Sequence, residues 1–228
     1  MRDFEIMEHL NMELGELKQK LLTMASHAET AVNESVRALV ERDYDLAVRV
    51  KDADNVIDRF ELEIDEMAIQ LLAKAPLAGD LRFVTVAMKI SQNLERVGDE
   101  ATKIAKRARD LSGEPPVKLN LDLDRMVRLS LDMLKAALDS FVNRDSAAAR
   151  AIIPRDKEVD ALNKEISNLL ADYMVANPDA IRRCLSLIVV SKSLERIADH
   201  AKNMAEDVVY LCEALDIRHS GKGAITSN

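Results

Sequence analysis

The chain has little of what builds β structure or tight turns. Only 3% of its 228 residues are aromatic, Trp is absent, and there are just six Gly and five Pro. That scarcity disfavours a sandwich or barrel and favours long helices of Ala, Leu, Val, Met and charged residues. Long apolar runs are missing too. The longest aliphatic stretch, Leu187–Val190, is far short of the ~20 apolar residues of a membrane span. The opening MRDFEIMEHL is charged throughout and has no signal-peptide core. These absences predict a cytoplasmic chain with no segment inserted in a membrane. Cysteine is scarce: Cys184 and Cys212 form no CxxC and sit in apolar helical patterns, which predicts buried thiols, not a disulfide. Positive charge is in deficit. A net charge of −8 argues against nucleic acid as the main ligand and leaves cations and basic protein surfaces.

What the chain does have is a repeat. NLERVGDE at Asn93–Glu100 returns as SLERIADH at Ser193–His200, and two further blocks recur in the same order. Met24–Asp43 aligns with Met126–Asp145, Asp54–Ile64 with Asp156–Ile166, and Leu81–Asp99 with Ile181–Asp199. Each block carries apolar residues in alternating threes and fours, as in Phe83, Ala87, Ile90, Leu94, Val97, Ala101 and Ile104. The expected fold is all-α: two tandem, duplicated three-helix bundles with long antiparallel helices of roughly 30 residues, about 45 Å. Residues 1–112 form the first repeat, 113–120 the linker, 121–215 the second repeat and 216–228 a disordered tail. Helix breaks fall at RDYD and RDSA, at Pro76 and Gly79, and at Asn177-Pro178. Pro154 should kink the fifth helix.

The repeats carry paired acids. Residues four apart share a helix face, so Asp54/Asp58 and Glu95/Asp99 form anionic pairs on consecutive helices of the first repeat. Asp156/Asp160 and Glu195/Asp199 do the same in the second. If the neighbouring helices pack side by side, four carboxylates converge in each repeat, a donor set suited to Mg²⁺, Ca²⁺, Mn²⁺ or iron. On a helical wheel these acids lie about 100–180° from the centre of each apolar seam, so they should face outward or line a seam edge. That is unlike buried di-iron bundles, whose Glu-x-x-His motifs point inward and are absent from this chain. Asn203 extends the second stripe, whereas Lys103 holds that place in the first and could neutralise Asp99, so the second site is expected to bind more tightly. The alternative is a solvated acidic face on a helical scaffold that binds protein partners. His9, His27, His200 and His219 show no ligand spacing and read as surface residues. No nucleophile motif, phosphate loop, general base or oxyanion donor is evident, which disfavours a metallohydrolase.

The LERVGDEATKIA and LERIADHAKNMAED helices, with the PLAGDLR segment that opens the third helix, resemble the PhoU family of phosphate-signalling proteins. The similarity runs from about Glu5 to Ala214. It implies a non-enzymatic, cytoplasmic negative regulator that links a phosphate ABC transporter to a sensor histidine kinase. It also implies surface metal sites at the E(D)xxxD motifs, here the eight acids above, holding a divalent metal or iron. Self-association, here expected as a homodimer, is implied as well. The second repeat departs from the family pattern at Ala180, where the first has Asp80.

Overall fold

Helix punctuation in this chain is done by the dipeptide Arg-Asp. In the computed structural model, which describes residues 2–74 and 78–218, α1 spans Arg2–Glu41 and stops at Arg42, whose φ of 59° is left-handed. The Asp43 N–H then reaches back to the Ala38 carbonyl at 3.0 Å, and the Asp43 carboxylate accepts from Leu46 N at 2.8 Å to start α2, Tyr44–Leu72. The second repeat copies this. α4, Leu123–Asn143, ends at Arg144 with φ 52°, and Asp145 caps α5, Ser146–Ile152, by accepting from Ala148 N. Each corner joins a Schellman-type stop to an Asp N-cap, which offsets the strain of a left-handed side-chain-bearing residue.

α3 spans Ala78–Leu111, and residues 112–122 form the crossing segment. Pro154 does more than kink its helix. It lies in a 3-10 turn, Ile153–Arg155, that splits the middle helix of the second repeat into α5 and α6, Asp156–Ala176. The first repeat has Asp52 at the matching position and an unbroken α2. A second 3-10 turn, Pro178–Ala180, leads into α7, Ile181–Glu213. Among the described residues there is no strand, and no helix is long and apolar enough to cross a membrane. Pro76 and residues 219–228 of the expected tail lie outside the described residues. The start of that tail is tied down: Arg218 bonds Asp216 and lies 4.0 Å from Asp207.

α1 and α2 run antiparallel, joined by the pairs Lys20–Glu63 and Lys74–Glu13. α3 packs on both and on α7, which in turn packs on α4, α5 and α6. α1 begins well before Met24, where the first repeated block starts. Its seam of Leu10, Leu14, Leu17 and Leu21 is buried, and Lys18 donates to the Val142 carbonyl of the other repeat at 2.8 Å. The fully buried Leu21, Ile64, Ile90, Phe141, Ile166 and Leu194 belong to one core that draws on both repeats. α3 and α7 meet antiparallel, with Lys89 against Asp207 and Glu100 against Arg196. The repeats are thus related by an approximate two-fold that exchanges Glu100 with His200 and Arg96 with Arg196. Of the two cysteines, Cys184 is buried but Cys212 is exposed, because in the last turn of α7 it is Leu211 that faces the core and Cys212 beside it points away.

Candidate functional site

Close packing of α2 on α3 brings the first set of acids together. Gly98 makes the approach possible: a Cβ there would lie 2.9 Å from Ile57 Cδ1 and 3.0 Å from Asp54 Oδ1. Asp54 is half-buried, and its carboxyl is pushed above the ordinary aspartate range by burial and then by the charges of Asp58 and Asp99, against a lowering contribution from the Thr102 hydroxyl. Glu95 is raised by burial, then by Asp99, Glu61 and Asp58, with Arg96 opposing. All four expected carboxylates therefore share one electrostatic neighbourhood, and Glu61 joins them. Glu61 was not anticipated, although its place three residues after Asp58 on one helix face marks it.

The second set assembles where α6 meets α7. Asp199 is pushed up to about 6 by burial, then by Asp156 and Glu195, with Asp160 adding to the rise and Lys202 opposing it. Two of these acids are buried: Asp156, beside its seam as expected, is only 5% exposed, and Glu195, expected to face outward, only 7%. A wheel with one apolar seam misplaces residues on α7, because that helix is covered on several sides by α3, α4, α5 and α6. Asp58, Asp99 and Asp160 are exposed, as expected.

The second acids also carry their own cations. Lys202 Nζ donates to Asp156 Oδ2 at 2.7 Å, and Lys192 Nζ donates to Glu195 Oε1 at 2.7 Å and lies 2.5 Å from Oε2. The matching residues of the first repeat are Thr102 and Gln92, which have no charge. Lys103 pairs not with Asp99 but with Glu100, at 2.9 Å, because Glu100 points into the α3–α7 junction beside it. The second set, not the first, thus carries cations paired with its acids.

Between the two sets, on the two-fold, lies a groove of about 530 Å³ lined by Arg96, Asp99, Glu100 and Lys103 of α3 and Arg196, Asp199, His200 and Asn203 of α7. Burial raises the Glu100 carboxyl, but Lys103, Ser193 and Arg196 outweigh it and hold the acid below its ordinary range. His200 is not a free surface residue. It is half-buried with Nδ1 3.0 Å from Asn93 Oδ1, and burial followed by Arg96 lowers its pKa. Asp80 sits in the first turn of α3, where a carboxylate suits the helix N-terminus, whereas its counterpart Ala180 is buried at the start of α7 and gives that helix no side-chain cap.

The donor chemistry of both sets, hard carboxylate oxygens, fits a hard cation, and Asp156 Oδ1 is buried with no hydrogen-bond partner. As the side chains stand, no group of three His, Cys, Asp or Glu among the described residues closes into a ligand set.

Comparison with known proteins places this arrangement. The PhoU domain model matches twice, over residues 21–108 and 123–208. The chain is 39% identical over 225 residues to the phosphate-specific transport system accessory protein PhoU homolog of Pseudomonas putida, covering 97% of this chain and 88% of that one. It is 33% identical over 212 residues to the accessory protein PhoU of Escherichia coli K12, covering 92% and 88%. Its structure matches the crystal structure of PhoU from Pseudomonas aeruginosa with a TM-score of 0.86 at 38% identity, covering 90% of this chain and 99% of that one. PhoU from Streptococcus pneumoniae gives the same TM-score at 28% identity. Two matched repeats, two clusters of acids on their helices and relatives alike over nearly the whole length lead to one assignment: the chain belongs to the PhoU family.

Proposed function

We propose that this protein is the accessory regulator of a phosphate-specific transport system. In this reading it works in the cytoplasm as a homodimer. It contacts the phosphate ABC transporter and a sensor histidine kinase, and holds the phosphate-starvation response off while phosphate is plentiful. It does so without chemistry of its own. The observation that supports this best is the full-length likeness to phosphate transport accessory proteins, across both repeats. The test is complementation. In a bacterial strain lacking its own PhoU, the chain should restore repression of a phosphate-starvation reporter in phosphate-rich medium and be retained by the transporter ATPase or the kinase in a pull-down. A chain that is well expressed yet neither restores repression nor is retained refutes the proposal.

The carboxylate clusters add a cation to this reading. Asp54, Asp58, Glu95 and Asp99 of the first repeat, with Glu61 beside them, would hold a divalent metal or iron. Asp156, Asp160, Glu195 and Asp199 would do so in the second once Lys192 and Lys202 give way. A bound cation supplies charge neutralisation and so stabilises the fold by mass action. Metal analysis after purification without chelator or a nickel tag should find metal, and substituting the first-repeat acids should remove more of it than substituting the second. Metal-free protein, with no thermal response to Mg²⁺, Mn²⁺ or iron, would leave a regulator that works through its helix faces alone.

A further inference from the structure

We propose that the groove between the C-terminal end of α3 and the N-terminal end of α7 is a docking site for an acidic amphipathic helix of a partner protein. The two-fold gives this groove a twin, between the N-terminal end of α3 and the C-terminal end of α7. The chain closes the twin with its own side chains: Lys89 donates to Asp207 at 2.9 Å and lies 5.4 Å over the ring of Tyr210. One repeat away, those three positions are Val189, Arg107 and Asp110. Val189 cannot bridge the helices, and Arg107 turns back along its own helix to Asp110 at 3.1 Å. The groove is therefore left open, with a volume of about 500 Å³ and Leu111, Leu185 and Val189 as its apolar lining.

Leu185 and Val189 are 51% and 39% exposed, and Ile181, one turn earlier, is 42% exposed. Spaced by four, the three residues form a ridge on one face of α7, the pattern that receives the apolar stripe of another helix. Charge selects the occupant. In a chain of net charge −8, the groove is lined by three cations, Arg107, Arg182 and Arg183, against Asp110 and Glu114. Arg182 is exposed and pairs with no acid among the described residues. A partner helix with carboxylates flanking an apolar stripe meets both requirements, and the inference does not depend on the carboxylate clusters.

The probe is a dye-labelled synthetic helix of roughly 18 residues, five turns, with a Leu stripe flanked by Glu, titrated with the full chain by fluorescence anisotropy. A peptide with the same stripe flanked by Lys is the control. The acidic peptide should bind saturably, and the basic one about tenfold or more weakly. The double variant Arg107→Asp/Val189→Lys transplants the pair that closes the twin. It should weaken binding of the acidic peptide by about tenfold or more with an unchanged melting temperature. Should that variant melt early, Leu185→Ser alters an exposed side chain and should show the same loss. Arg182→Glu should weaken the acidic peptide and improve the basic one. The proposal is overturned if the wild type fails to bind the acidic peptide, or if neither the transplant nor Leu185→Ser affects binding. It is also overturned if these variants lose binding to phosphatidylglycerol vesicles while the peptide never binds, which would make the ridge a membrane contact.

Discussion

Replacing Asp199 by Asn should stabilise the metal-free protein at neutral pH and leave it unchanged in acid. In the folded chain Asp199 is raised from 3.8 to about 6, because burial and the charges of Asp156 and Glu195 disfavour its ionised form. A carboxyl whose folded value lies above its unfolded one binds its proton more tightly in the native state. The stability cost is therefore absent below about pH 4, grows as pH rises from there to about 6, and stays constant above. The interval between the two values corresponds to about 3 kcal/mol if fully realised. Asp199 is only half-buried, and solvent screening brings this to about 1–1.5 kcal/mol. In a chain of this size that is a rise in Tm of about 2–6 °C. Thermal melts in chelator at about pH 8 and pH 4 read it directly. A variant less stable than wild type at pH 8, or a gain of equal size at pH 4, would refute the reasoning. Added Mn²⁺ should then raise the Tm of wild type more than that of the variant, because the variant has lost a ligand charge.

Lys202→Thr, which copies the residue of the first repeat, strips Asp156 of its cation. It should cost about 1–2 kcal/mol in chelator and enlarge the thermal response to Mn²⁺, both read by melting curves. Gly98→Val should cost about 2 kcal/mol by forcing α3 away from Ile57 and Asp54. Gly98→Ala should be close to neutral, because the flexible end of Ile57 can move and alanine gains about 1 kcal/mol of helix propensity; urea unfolding separates the two. Phe141→Ala removes a ring that is 1% exposed and stacked on Phe83 at 5.3 Å, and should lower stability by about 3–5 kcal/mol, or Tm by roughly 10 °C, in a calorimetric scan.

The duplication and the helix periods were plain in the sequence because both are local: a repeated block and a seam of threes and fours need no knowledge of neighbours. The Arg-Asp corners were legible for the same reason. The eight acids were found by spacing, and the structure does group them by repeat. What spacing could not give was the environment of each acid. Glu195 is buried because α7 is covered on several sides, and Asp156 because the start of α6 packs on α7 beside Lys202; a wheel drawn for one helix has no way to represent that. The pairing of Lys103 went astray because its nearest sequence candidate, Asp99, lost to Glu100, whose direction is set by the antiparallel contact with α7. Lys192 and Lys202 were visible in the chain all along. Their role emerges only when they are set beside Gln92 and Thr102 on a common frame.

The antiparallel seam of α3 on α7 has a thermodynamic meaning. A duplication usually yields two domains, each with its own interior and its own free energy of unfolding. Here α3 packs on α1 and α2 of its own repeat and on α7 of the other, α1 reaches across to α4, and one core draws on both halves. Most of the interior is common to both repeats, and only a small cluster around Leu46, Val50 and Ala105 belongs to the first alone. Melting one would strip cover from the other, so the chain carries a single stability, and whatever is gained at one cluster of acids is shared by both halves.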